Sequence, residues 1–138
     1  MIINQKVSFK AVYLILVTSF LGFSQTTKID SLKGIVTTEA KDTAMVSSLN
    51  NLGLELLNQG NIDESLKYSE KANDLATELG YIKGKALSLK QIGNANYYKG
   101  NYLEVFDYWG QSLDNFEILK GIRKHISRRN QRFFKEPP

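Results

Sequence analysis

A repeat decides the fold: residues 48–79 are SLNNLGLELLNQGNIDESLKYSEKANDLATEL, and residues 88–119 are SLKQIGNANYYKGNYLEVFDYWGQSLDNFEIL. At an offset of forty positions, identical residues recur in pairs, which are Ser48/Ser88, Leu49/Leu89, Gly53/Gly93, Gly60/Gly100, Asn61/Asn101, Glu64/Glu104, Tyr68/Tyr108, Asp74/Asp114 and Leu79/Leu119. A fixed period of this length is the signature of stacked structural repeats.

Each repeat has the pattern of two helices joined by a tight turn. Leu49, Leu52, Leu56 and Leu57 have the i, i+3, i+7, i+8 spacing of an amphipathic helix, and Asp42 is placed to cap its start. Gly60 and its equivalent Gly100 follow the first helix of each repeat, where a left-handed glycine ends a helix at low cost.

Two further features fit this pairing of helices. The dyads Asn61/Glu64 and Asn101/Glu104 resemble a capping box at the start of each second helix, so their role is predicted to be architectural. Gly53 and Gly93 lie inside helices, where glycine costs about 1 kcal/mol relative to alanine. Because glycine recurs at the same position of both repeats despite this cost, we predict that helices approach each other closely there. This predicts an all-α fold of stacked hairpins.

These residues resemble the tetratricopeptide repeat (TPR) family in a forty-residue spacing. The first unit matches the family pattern at Leu49, Leu52-Gly53, Leu56, Gly60, Ile62, Ser65 and Ala72. The second unit matches it at Leu89, Ile92-Gly93, Gly100, Tyr102 and Ser112, whereas Asn96 replaces an aromatic residue, Val105 and Trp109 are bulky, and the closing proline is absent. The resemblance implies antiparallel helix-hairpin repeats stacked as a short right-handed solenoid.

The resemblance and the repeat together predict the organisation of the chain. The expected segments are a signal peptide at 1–24, a leader with a short helix at 25–43, TPR unit 1 at 44–84, TPR unit 2 at 85–120, and a basic tail at 121–138. The leader helix is expected near Ile29 to Val36. At the forty-residue register the tail occupies the place of a third unit's first helix, and its pattern predicts an interrupted third repeat.

The first segment has two lysines followed by an apolar run from Ala11 to Phe23, and small residues precede Gln25. This is the pattern of a signal peptide cleaved near Ser24/Gln25, and it predicts a periplasmic or extracellular protein. An uncleaved membrane anchor is the alternative, although the run is shorter than the roughly 20 residues that a spanning helix needs.

The net charge of +4 is unevenly distributed along the chain. Residues 25–120 carry −3, whereas residues 121–138 carry +5. A weakly acidic body with a basic tail does not match the basic groove that follows a phosphate backbone. Together with the predicted export, this argues against nucleic-acid binding.

No catalytic motif is evident in the sequence. There is no cysteine, His125 is the single histidine, and the glycines do not form a phosphate-binding loop. We therefore expect neither an enzyme nor a bound cofactor or metal. The aromatic run YYKGNYLEVFDYW at residues 97–109 could stack sugars or bases, but its helical spacing favours rings that fill the core between helices.

The expected site is a surface, because helical solenoids bind peptides or helices along a concave groove. The resemblance implies groove candidates at Asn50, Leu54, Lys90, Asn94 and Tyr97, for which ordinary solvated helix positions are the alternative. It also implies structural repeat positions at Leu49, Gly53, Gly60, Ala72, Leu89, Gly93, Gly100 and Tyr102.

Two functions from different classes follow. The first is a non-catalytic, exported interaction module that binds a protein or peptide. The second is a truncated sensory region of a TPR-containing membrane signalling protein without its output domains, because the leader KIDSLKGIVTTEAKDTAMVSSLNNLG resembles the exported start of envelope sensors with a histidine kinase or adenylate cyclase output.

The number of repeats bears on stability, since about three repeats are usually needed for a stable array. Two units therefore predict a low melting temperature or self-association.

Overall fold

The computed structural model describes residues 28–38 and 40–135. Within these residues it contains helices and turns but no strand, so the all-α fold class is confirmed. The helices are α1 (residues 28–35), α2 (Thr43–Asn58), α3 (Ile62–Glu78), α4 (Ile82–Lys99) and α5 (Tyr102–Lys135). The predicted signal peptide at 1–24 lies outside the described residues.

The start of α2 follows the sequence prediction. Asp42 is the N-cap, and its Oδ1 accepts a hydrogen bond of 2.7 Å from the backbone N–H of Met45. The leucines of the predicted apolar stripe, Leu49, Leu52, Leu56 and Leu57, are all buried. The helix therefore begins where a capping side chain precedes the first apolar turn, and it buries the face that its periodicity indicates.

Glycines with positive φ end three of the helices. Gly60, Gly80 and Gly100 have φ values of 79°, 62° and 80°. Only glycine adopts this left-handed conformation at little cost, so each of these residues allows the chain to reverse within two or three residues. The predicted roles of Gly60 and Gly100 are confirmed.

The capping prediction for the second helices is wrong. Asn61 is the N-cap of α3 but makes no side-chain capping hydrogen bond. Its equivalent, Asn101, instead donates from Nδ2 to Oδ1 of Asn96, at 3.0 Å. The Nδ2 group of Asn101 thus bonds to a buried side chain of the preceding helix, and no capping bond to its Oδ1 is present among the described residues.

Close approach at the two helical glycines is confirmed. A Cβ atom on Gly53 would lie 2.6 Å from Ser69 Oγ and 2.9 Å from Gln91 Oε1. A Cβ atom on Gly93 would lie 2.6 Å from Trp109 Nε1. All three distances are too short for a real Cβ contact, so at each glycine a neighbouring side chain takes the space that a larger residue would need.

The helices form two antiparallel hairpins, here called the first hairpin (α2 and α3) and the second hairpin (α4 and α5). In the first hairpin Ser65 Oγ donates to Gly53 O at 2.7 Å, and in the second Ser112 Oγ donates to Ala86 O at 2.7 Å. The hairpins pack side by side through α3 and α4, with a smaller contact between α2 and α4. The described chain therefore has a helical, repeat-like fold.

Helix α1 covers the outer side of the first hairpin. Ile29 is buried against Leu52 and Leu56 of α2, and Val36 packs beside Tyr68 of α3. Lys28 pairs with Glu55, and Lys33 Nζ donates to Glu64 Oε1 at 3.0 Å. The hydrogen bond to Glu64 raises the pKa of Lys33. The leader helix predicted near Ile29 to Val36 is thus present one residue earlier, at residues 28–35.

The tail differs from the expected interrupted repeat. Helix α5 continues without a break from Tyr102 to Lys135, so residues 121–135 extend the second helix of the second hairpin and do not begin a new hairpin. The predicted boundary between units at 84/85 also falls inside α4, because the turn at Gly80 places the start of that helix at Ile82.

Candidate functional site

Four of the five predicted groove residues line two adjacent cavities. The first cavity has a volume of about 610 Å³ and is lined by Leu54, Leu57, Asn58, Gly60, Ile62, Asn94, Tyr97, Tyr98 and Trp109. The second has a volume of about 360 Å³ and is lined by Lys90, Asn94, Trp109, Ser112, Leu113 and Phe116. Asn94 and Trp109 belong to both linings, so the two cavities meet at this pair.

The fifth candidate, Asn50, does not line either cavity. Its side chain is only 4% exposed, and its Nδ2 donates to the backbone carbonyl of Gly84 at 3.2 Å. Its Oδ1 has no hydrogen-bond partner among the described residues. The groove assignment of Asn50 is therefore wrong, because α4 packs directly over this position and makes it a contact between the two hairpins.

Trp109 organises the wall between the cavities. Its indole Nε1 donates to Asn94 Oδ1 at 3.1 Å, and its ring stacks on Tyr97 with centroids 6.2 Å apart and planes at 21°. The ring also lies against Gly93, whose missing side chain leaves room for it. The side chain is thus held in place on three sides although 41% of it is exposed.

The prediction that the aromatic run fills the core is wrong. Exposed rings include Tyr97, Tyr98, Tyr102, Phe106 and Trp109. Tyr97 makes edge-on contacts with Tyr98 and Tyr102, at centroid distances of 5.9 and 6.0 Å. Edge-on and offset pairs are the favoured arrangements of aromatic rings. Tyr97, Tyr98, Tyr102 and Trp109 therefore form a connected aromatic cluster, three of whose rings line the first cavity.

Of the eight predicted structural repeat positions, five are buried, two are glycines with positive φ that end helices, and Tyr102 is exposed. Leu49, Ala72 and Leu89 are buried, and the four glycines have the roles described above. Tyr102, by contrast, is 60% exposed, whereas its equivalent in the first hairpin, Ile62, is half-buried. The difference arises because α4 packs beside α3, while no described helix packs on the corresponding side of α5.

This difference extends along the whole face of α5. We define the α5 stripe as Tyr102, Phe106, Trp109, Leu113 and Phe116, whose spacing places them on one side of the helix. The equivalent α3 stripe is Ile62, Leu66, Ser69, Asn73 and Ala76. Every member of the α3 stripe is buried or half-buried, whereas every member of the α5 stripe is exposed by 36% or more.

The cavities offer chemistry for binding. The lining of the first cavity combines aliphatic and aromatic side chains with the amides of Asn58 and Asn94, which both donate and accept hydrogen bonds. The lining of the second cavity includes the ammonium of Lys90. In the part of the chain that the structure describes, no group of three or more His, Cys, Asp or Glu side chains is placed to hold a metal ion.

None of the helices within residues 28–38 and 40–135 combines the length and apolar character needed to cross a membrane. The chain matches no family model, no curated protein and no solved structure.

Proposed function

We propose that this chain is a non-catalytic protein–protein interaction module, built as a short right-handed TPR solenoid and exported from the cell. It binds a peptide or protein partner in a concave groove. The observation that carries the proposal is the pair of cavities that meet at Asn94 and Trp109. Four residues chosen from the repeat register, Leu54, Lys90, Asn94 and Tyr97, line them.

The lining indicates which part of a partner would be recognised. Leu54, Leu57 and the rings of Tyr97 and Trp109 would surround an apolar or aromatic side chain of the partner. Ligand pockets commonly combine such walls with a few polar groups that fix orientation. Here the amide of Asn58 and the hydroxyls of the tyrosines can bind the backbone of a peptide.

The hydrogen bond from Trp109 to Asn94 supports a preformed site. It occupies Asn94 Oδ1 and holds the indole ring in place, so that a peptide does not have to order it on binding. Ordering a flexible side chain at an interface costs about 0.5–1.5 kcal/mol. Export remains part of the proposal on the strength of the sequence pattern at residues 1–24, which supports a partner outside the cytoplasm.

A selection with a random-peptide library tests the groove on the full chain. Peptides that are enriched on the chain are expected to bind with Kd values in the micromolar range. Leu54→Glu should weaken them at least about tenfold, because a carboxylate would be desolvated in an apolar lining. Leu79→Glu is the matched control, since Leu79 is 37% exposed against 40% for Leu54 and lines neither cavity.

Two results would contradict the proposal. One is a set of selected peptides that binds the Leu54→Glu and Leu79→Glu variants equally well. The other is a purified chain that turns over a substrate and loses that activity when one polar residue is substituted. Circular dichroism of both variants controls for loss of the helical fold.

A further inference from the structure

Helix α5 continues past the position at which the series of turn glycines is interrupted. Gly60, Gly80 and Gly100 lie twenty residues apart, and each has positive φ at the end of a helix. The next position in the series is Lys120, which lies inside α5. Lysine has a Cβ atom and adopts the left-handed conformation only at a cost, so the chain continues as a helix where the earlier hairpin connections turn.

The continuous helix leaves the α5 stripe without the cover that its equivalent has. Helix α4 packs on α3, and Gln91 of α4 accepts a hydrogen bond from Ser69 of the α3 stripe at 3.1 Å. Residues 121–135 are the forty-residue equivalents of Tyr81–Ala95. In a further repeat these residues would form a helix that packs on α5 as α4 packs on α3. As the continuation of α5 itself, they cannot fold back onto the α5 stripe.

The two halves of α5 carry complementary chemistry on the same face. The spacing that defines the α5 stripe continues past Phe116 to Lys120, Lys124 and Ser127. The stripe is aromatic and apolar as far as residue 116, and its continuation is basic. Residues 120–129 are all exposed, with Arg128 beside Lys124 on this face. One helix therefore presents aromatic rings at one end and ammonium and guanidinium groups at the other.

We propose that a second copy of this chain covers the α5 stripe. The two α5 helices pack antiparallel about a twofold axis near residue 120, so that the basic half of each lies over the aromatic half of the other. Lys and Arg side chains pack their methylene stems on apolar surfaces, and their charged ends bind over aromatic faces. The proposal goes beyond the groove function, since it concerns contacts between copies; the two surfaces share Trp109, which lines both cavities.

Charge complementarity favours a copy of this chain over another protein. Glu104, Asp107, Asp114 and Glu117 lie in the aromatic half of α5, and Lys120, Arg123, Lys124, Arg128 and Arg129 lie in the other half. Of the four acidic residues only Glu117 flanks the α5 stripe, since Glu104, Asp107 and Asp114 lie on the opposite side of the helix. Antiparallel pairing brings Glu117 and the aromatic rings of one helix to the basic half of the other, whereas parallel pairing would place the two basic halves together. The contact is self-complementary, as the twofold interfaces of homodimers require.

The oligomeric state of the full chain tests the proposal. Sedimentation at up to about 100 µM is expected to show a dimer. Phe106→Ser should raise the dimer Kd at least about tenfold, because the 73% exposed ring lies at the centre of the first half of the stripe. Leu103→Ser is the matched control: Leu103 is 83% exposed but lies off the stripe, so its dimer Kd should change by less than about twofold.

A charge reversal distinguishes this arrangement from one in which two aromatic stripes face each other. Lys124→Glu should weaken the dimer at least about tenfold, whereas Arg129→Glu, on the opposite side of the same helix, should have a much smaller effect. A dimer sensitive to Phe106→Ser but equally tolerant of both charge reversals would overturn the antiparallel arrangement. If the chain were a monomer at every concentration, the proposal would be overturned, and a helix of another protein would become the candidate that covers the α5 stripe.

The groove variant separates this inference from the proposed function. Leu54→Glu removes peptide binding under the groove proposal, and Leu54 lies on α2, where it shares the lining of the first cavity with Trp109 but is not part of the α5 stripe. It should therefore raise the dimer Kd much less than Phe106→Ser does. Lys124→Glu, which weakens the contact that covers Trp109, Leu113 and Phe116 of the second cavity, should not weaken binding of the selected peptides. Circular dichroism shows whether each variant retains its helices.

Discussion

Residues 69 and 109 occupy the same position in the two hairpins, yet one is a buried serine and the other a partly exposed tryptophan. Ser69 Oγ donates to Gln91 Oε1 across the boundary between the hairpins. Within the described residues no hairpin follows α5 to contact Trp109, whose indole folds over Gly93 and donates to Asn94. The small residue thus belongs to a covered helix face and the large one to an open face.

The same contrast holds along both hairpins. The first is covered on one side by α1 and on the other by α4, and its inward residues are small or aliphatic. The second is covered on one side only, and its helix α5 carries large rings at the positions where α3 has Ser69 and Ala76. Related sequences can therefore form a covered helix face or an open one, depending on which neighbouring helices are present.

The largest effect is expected at the pair Leu56 and Asn96. Leu56 is 1% exposed in the cluster with Ile29, whereas Asn96 is buried but donates from Nδ2 to Ile92 O at 3.0 Å. Leu56→Asn should lower the free energy of unfolding by about 4 kcal/mol, because it removes buried apolar volume and buries an amide among apolar side chains that offer it no hydrogen bond. Urea denaturation followed by circular dichroism measures this.

The reciprocal change is the control for that comparison. Asn96→Leu removes the acceptor of Asn101 Nδ2, which is only part-buried and can bind water instead. We expect a change in the free energy of unfolding of less than about 1.5 kcal/mol. If both variants lost the same free energy of unfolding, the two hairpins would not differ in their tolerance of a polar or an apolar residue at this position, and the comparison between them would fail here.

The next effect concerns the two helical glycines. Gly53→Val should lower the free energy of unfolding by about 3 kcal/mol, because its side chain would meet Ser69 Oγ, which is fully buried and cannot move away. Gly93→Val should cost about 1 kcal/mol, since Trp109 can swing toward solvent. Denaturant titration of both variants measures the difference.

Fluorescence supplies a second measurement of the same pair. Trp109 is the single tryptophan of the chain, so the emission reports on its surroundings alone. Gly93→Val should shift the emission toward that of an indole in water, whereas Gly53→Val should leave the emission of the folded state unchanged. Unchanged emission in Gly93→Val would contradict the packing of the indole against this glycine.

The sequence predicted those features that depend on local chemistry or on one helix face. Asp42 before an apolar stripe specified a capped helix, and the spacing of Gly60 and Gly100 specified turns. Periodicity, however, indicates which face of a helix is apolar and not whether a neighbour covers it. Trp109 and Tyr97 were therefore assigned to a core that α5 does not share with any following helix.

The candidate site was predicted in part for a related reason. The repeat register names Leu54, Lys90, Asn94 and Tyr97 as groove candidates, and all four line the two cavities. It assigned Asn50 to the same face, but the closeness of α4 to α2 depends on the packing of both hairpins and cannot be read from one repeat. Asn50 Nδ2 consequently donates a hydrogen bond to Gly84 O, and the side chain does not line either cavity.

The smallest effect is expected at the turn positions Gly80 and Lys120, which differ although they are forty residues apart. Gly80→Lys should lower the free energy of unfolding by about 1 kcal/mol, because lysine would have to adopt the positive φ of 62°. Lys120→Gly should change it by no more than about 1 kcal/mol, the usual cost of glycine inside a helix.

Thermal denaturation of both variants measures these differences, with Lys120→Ala as the control that keeps the helix. If Lys120→Gly lowers the helical circular dichroism signal while Lys120→Ala does not, a glycine at this position is sufficient to end the helix; if neither does, residues after 120 continue the helix whatever side chain stands there.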